Sequence, residues 1–115
     1  MPAVDFFYAR PSCESCEKTR SLLGERKVTI RSERSTRNAF SEPEIRDLLA
    51  TVDEVWIARG QKIDKRSAQG TRPVDLKGPT GKFRAPMLRR GQRLLVGFHV
   101  PSLEELVDDC NSPGG

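Results

Sequence analysis

The chain has 115 residues, 36% of them apolar and 31% charged, and carries a net charge of +4. These values suit one globular domain spanning 1–115 with a modest core. They exclude a membrane-spanning helix, which needs about 20 consecutive apolar residues, and three cysteines are too few for a disulfide scaffold.

Val4, Phe6, Phe7 and Tyr8 make residues 3–8 a buried strand. Ser12 is placed to cap a helix from about Cys13 to Leu23, and Gly24 ends it. Lys27-Val28-Thr29-Ile30-Arg31 alternates apolar and polar residues, which predicts a second strand, and polar 32–40 reads as a loop. A helix long enough to cross over joins these strands, so they are expected to pair in parallel. Ser41, Pro43 and Glu44 open a second helix with a capping box, and Ile45, Leu48 and Leu49 form its apolar stripe. Asp53-Glu54-Val55-Trp56-Ile57 reads as another short helix that stops near Gly60. Residues 70–82 hold Gly70, Pro73, Gly78, Pro79 and Gly81, the composition of a loop. Met87-Leu88 and Leu94 to Phe98 read as strands joined by the Gly-containing turn Arg89 to Arg93. A last helix opens at Pro101-Ser102, with Ser102 and Glu105 as its capping box, and 111–115 reads as a frayed tail. The order is β-α-β, a helical and loop insert at about 41–82, then β-β-α.

Cys13-Glu14-Ser15-Cys16 carries the chemistry. The first cysteine falls at a strand-to-helix turn, where free N–H groups and the helix dipole favour a thiolate. The second lies one turn on, on the same face and within reach of a disulfide. Disulfide exchange needs a nucleophile and a resolving thiol, and Cys13 and Cys16 fill those roles. Arg10 can stabilise the thiolate or bind an anionic substrate, while the carboxylates of Glu14 and Glu17 oppose the thiolate. Cys110 reads as a free thiol. Zinc held by Cys13, Cys16, Cys110 and His99 would satisfy ligand type, but the ligands are scattered and no metal is expected.

The charge is uneven. Residues 59–93 hold 11 basic and 2 acidic side chains, whereas 94–115 hold 4 acidic and no basic ones. The basic stretch reads as a solvated surface, an anion pocket or a docking face for an acidic protein partner. Few aromatic residues are free to stack on bases, which disfavours nucleic acid. The N-terminal residues Met1 to Asp5 have neither a basic n-region nor a long apolar run, so a cytoplasmic location is expected.

Taken without its insert, this order is that of a thioredoxin or glutaredoxin fold. The chain resembles the arsenate-reductase-like (ArsC) family of that fold, which includes the Spx-type regulators. The resemblance rests on Tyr8-Ala9-Arg10-Pro11-Ser12-Cys13, on the insert ending Ile57-Ala58-Arg59-Gly60, on Phe83-Arg84-Ala85-Pro86-Met87-Leu88, and on Arg93 to Phe98 before the last helix. It implies an α/β domain with a mixed four-stranded sheet, Cys13 as nucleophile and Arg59 in an anion site. It also implies a cis-Pro86 opposite the nucleophile, with the Ala85 backbone available to pair with an incoming strand. The expected substrate-binding set is therefore Arg10, Ser12, Arg59, Arg84, Ala85 and Pro86. Arg84 stands one position earlier than the family's arginine, and the third arginine of arsenate reductases would fall near Gly97. The implied activity is thiol–disulfide exchange on a protein or glutathione disulfide, with glutathione or a thioredoxin as reductant and no bound cofactor. A redox-sensing Spx-like regulator and an arsenate reductase are the alternatives.

Overall fold

The computed structural model describes residues 3–10, 13–38, 40–59, 61–78 and 81–108. Strands β1 (Ala3–Val4) and β2 (Phe6–Ala9) lead into helix α1 (Glu14–Glu25), followed by β3 (Thr29–Ile30) and β4 (Glu33–Ser35). Helix α2 (Glu42–Ala50) precedes β5 (Glu54–Arg59) and β6 (Lys62–Ser67). Two 3-10 turns, Ala68–Gly70 and Pro73–Leu76, precede β7 (Met87–Arg90), β8 (Arg93–Val96) and helix α3 (Val100–Asp108).

The main sheet has six strands in the order β4-β2-β7-β8-β5-β6, and β1 pairs in parallel with β3 beside it. β2 runs parallel to β4 and antiparallel to β7, β7 is antiparallel to β8, and β8 runs parallel to β5. The expected four-stranded sheet is thus corrected to six, because the insert contributes the antiparallel pair β5–β6. The expected helix at 53–57 is strand β5. Val55, Trp56, Ile57 and Ala58 are all buried, and a strand covered on both faces shows an unbroken apolar run where an amphipathic helix would show a stripe. The neighbouring β6 has one apolar side chain, Ile63, and survives as a charged edge strand. Polar 32–40, read as a loop, contains the short β4.

Alternation along the strands splits the core into two layers. Tyr8, Ile57, Met87 and Val96 pack against Ile45 and Leu49 of α2. Phe7, Trp56, Leu88 and Leu95 pack on the opposite face against Cys16 and Leu23 of α1 and Leu103, Leu106 and Val107 of α3. Each fully buried aliphatic side chain contributes roughly 1.5–3 kcal/mol. The Ser41–Glu44 capping box at α2 forms as expected. At α3 the helix starts at Val100 and the expected Ser102–Glu105 box is replaced by His99, whose Nδ1 accepts the Ser102 N–H at 3.3 Å. No helix of the described residues is long and apolar enough to cross a membrane.

Candidate functional site

The site begins where β2 ends. The chain leaves the sheet after buried Tyr8 and half-buried Ala9, and the Arg10 N–H, no longer in a ladder, donates to Cys16 Sγ at 3.3 Å.

 
Cys13 is the N-cap of α1, with extended backbone angles (φ −99°, ψ 121°), and its carbonyl accepts the Glu17 N–H at 2.9 Å. The cap that the sequence assigns to Ser12 is therefore supplied by Cys13, and Ser12 itself lies outside the described residues. Cys13 Sγ accepts the Cys16 N–H at 3.4 Å, so the sulfur occupies the orphan-donor position at the helix start. The two cysteines approach within 3.2 Å as free thiols.

Their environments differ. Cys13 is half-buried, whereas Cys16 is 3% exposed and packs among the α1 and α3 core residues. Burial pushes the Cys16 thiol up to about 11; the Arg10 N–H opposes the rise and the hydrogen bond with Cys13 adds to it. Cys16 is thus held protonated beside the more accessible sulfur. Of the two carboxylates expected to oppose a thiolate, Glu14 is paired with Lys18 at 3.1 Å.

The opposite wall comes from 83–86 and the end of β8. The Ala85–Pro86 peptide bond is cis, and the Pro86 carbonyl accepts the Gly97 N–H at 2.8 Å. Ala85 precedes the ladder, which begins at Met87, and its side chain packs against the same core cluster as Cys13. Arg84 donates from Nη1 to the Ala58 carbonyl at 3.0 Å, while its buried Nε has no partner among the described residues. Gly97 has φ +90°, and a Cβ there would lie 3.0 Å from the Ala58 Cβ, so any side chain at this position would be strained and press on Ala58. A groove of about 560 Å³ opens between Arg10 and Ser15 on one side and Arg84, Ala85 and Gly97 on the other.

The structure therefore brings Cys13, Cys16 and the Arg10 backbone together, and it sets Arg10 and Ser15 across the groove from Arg84 and Ala85, the residue before cis-Pro86. It does not bring Arg59 to them. Arg59 is about half exposed, and its Nε lies 3.6 Å from Asp64 of β6. The alternation of β5 explains this: Ala58 lines the groove, and the next side chain points to the other face. Sequence reasoning missed Ala58 and Lys82 as groove residues; for Gly97, the available signal was an isolated glycine after a strand. Cys110 lies outside the described residues, and His99 is engaged by Ser102 and by the Gln61 carbonyl.

No protein-family model matches the chain, and no curated protein is significantly similar to it.

Proposed function

We propose that the protein is a thiol–disulfide oxidoreductase in which Cys13 is the nucleophile and Cys16 the resolving thiol. The observation that carries this reading is the asymmetric pair: a half-buried sulfur at a helix N-cap, 3.4 Å from the N–H of a buried, protonated partner. Cys13 thiolate attacks a substrate disulfide, forms a mixed disulfide and expels one substrate thiolate, which takes a proton from solvent. Cys16 then loses its proton and attacks the Cys13 sulfur. The Cys13–Cys16 disulfide forms, the second substrate thiol leaves, and two electrons have passed to the substrate. A thiol or dithiol reductant, such as glutathione or a thioredoxin, restores the pair.

The order and directions of β4-β2-β7-β8, parallel then twice antiparallel, support a thioredoxin-like core with β5–β6 added at its edge. The cis bond before Pro86 supports the resemblance to the arsenate-reductase-like family. The arsenate alternative gains nothing from the site, since Gly97 stands where a third arginine is needed, and any side chain there would carry a strained φ of +90° and press on the Ala58 Cβ.

The test is single turnover of the reduced protein with a model disulfide, read by mass spectrometry. Cys13→Ser should abolish reaction, and Cys16→Ser should accumulate the Cys13 mixed disulfide. Full activity in Cys13→Ser would sink the reading.

A further inference from the structure

The groove between Arg10 and Arg84 is half of a longer trough. A second groove, of about 680 Å³, runs toward Phe40 and Glu42, and the two share Arg10, Lys82 and Phe83. A chain lying along both would pass Arg10 and Ser15, which flank Cys13 in the sequence.

Most of the basic stretch is engaged elsewhere, whereas the trough gathers unpaired cations. Of the eleven basic residues in 59–93, Arg59, Lys65, Arg66, Arg72, Lys77 and Arg93 are in ion pairs. Arg89 and Arg90 donate to backbone carbonyls. By contrast, the side chains of Arg10, Lys62 and Lys82 have no hydrogen-bond or ion-pair partner among the described residues and are exposed; Arg10 and Lys82 line the trough, and Lys62 lies outside it. Arg84 adds its unpartnered, buried Nε. The one carboxylate lining either groove among the described residues is Glu42, and Lys77 already holds it at 3.0 Å. The floor beside Arg84 is small: Ala58, Gly78, Ala85 and Gly97 leave backbone and short side chains there.

Resting on the exchange reading above, we infer that this trough docks an extended acidic segment of a disulfide-bonded polypeptide, with carboxylates on both sides of the cysteine presented to Cys13. Charge complementarity selects the segment, and the side-chain-free floor accepts its backbone.

The test separates docking from chemistry. Two fluorescent nonapeptides, each with serine in place of the central cysteine, are flanked by glutamates in one and by lysines in the other. Their binding to the full chain is measured by anisotropy at low and high salt. The acidic peptide should bind about tenfold or more tighter at low salt, with the advantage shrinking as salt screens the charges. Lys82→Glu should remove the preference. Lys62→Glu, an equal charge change at an exposed residue outside both grooves, should keep it. Equal binding of the two peptides, or equal effects of the two variants, overturns the inference whatever the protein does to disulfides. So does glutathione disulfide binding as tightly as the acidic peptide, which makes the trough a site for a small anionic disulfide. Loss of exchange activity with the binding preference intact would instead remove the oxidoreductase reading and leave the docking trough standing.

Discussion

Under the exchange reaction proposed above, raising the pH from about 6 to about 9 should speed its second step, the attack of Cys16 on the mixed disulfide, by about tenfold per unit. Cys16 must give up its proton to attack, and burial pushes that thiol up to about 11. The contribution of Cys13 disappears once its sulfur is bonded to substrate. Burial, the largest cause, stays, so about 11 is a ceiling. At that ceiling about one molecule in ten thousand holds the Cys16 thiolate at pH 7. The assay forms the mixed disulfide with excess model disulfide, quenches with acid at intervals and counts mixed and intramolecular disulfides by mass. Cys16→Ala, which stops at the mixed disulfide, isolates the first step for comparison. A resolution rate that stays flat across this pH range would refute the argument that a buried, protonated Cys16 gates the step.

The same thiol links stability to pH. Its folded value lies above its ordinary 9.0, so its contribution is complete below about 9 and lost as the pH climbs toward about 11. That is at most about 3 kcal/mol, and urea titrations should show the Cys16→Ala protein lacking this part of the alkaline decline. Gly97→Ala should cost about 1–2 kcal/mol for its left-handed backbone, with more from the approach to Ala58, whereas Gly24→Ala, with open space around it, should stabilise α1 by up to about 1 kcal/mol. Thermal melts of the two variants should move in opposite directions. His99→Ala should cost about 0.5–2 kcal/mol in urea by removing the α3 cap and the contact with Gln61, and an unchanged midpoint would show that the cap is inert.

The parts of the fold readable in the sequence are those governed by local chemistry. Phe6 to Tyr8 followed by a capped helix, the Ser41–Glu44 box and the Gly91 turn each announce themselves within a few residues. The cysteine pair was legible for the same reason, since its spacing alone sets both sulfurs on one helix turn. The misread elements depend on distant partners. Glu33–Ser35 is a strand because β2 offers it a parallel edge, and Lys62–Ser67 because β5 lies beside it. Val55 to Ala58 looked helical because nothing local states that both faces will be covered. Arg59 illustrates the same limit at the site: one step along a strand reverses a side chain, and the residue facing the groove is Ala58.

The strand order also dictates when the site can exist during synthesis. The β7–β8 hairpin, late in the chain, is wedged between β2 and β5, and its Leu88 and Leu95 help enclose Cys16. Until residues 87–96 have emerged, β2 and β5 have no shared neighbour and the enclosure of Cys16 lacks Leu88 and Leu95. A nascent chain halted before Met87 should therefore alkylate readily at Cys16, while the finished chain should resist. The enclosure of Cys16 that Phe7, Leu23 and Trp56 begin is completed only by residues from Met87 onward.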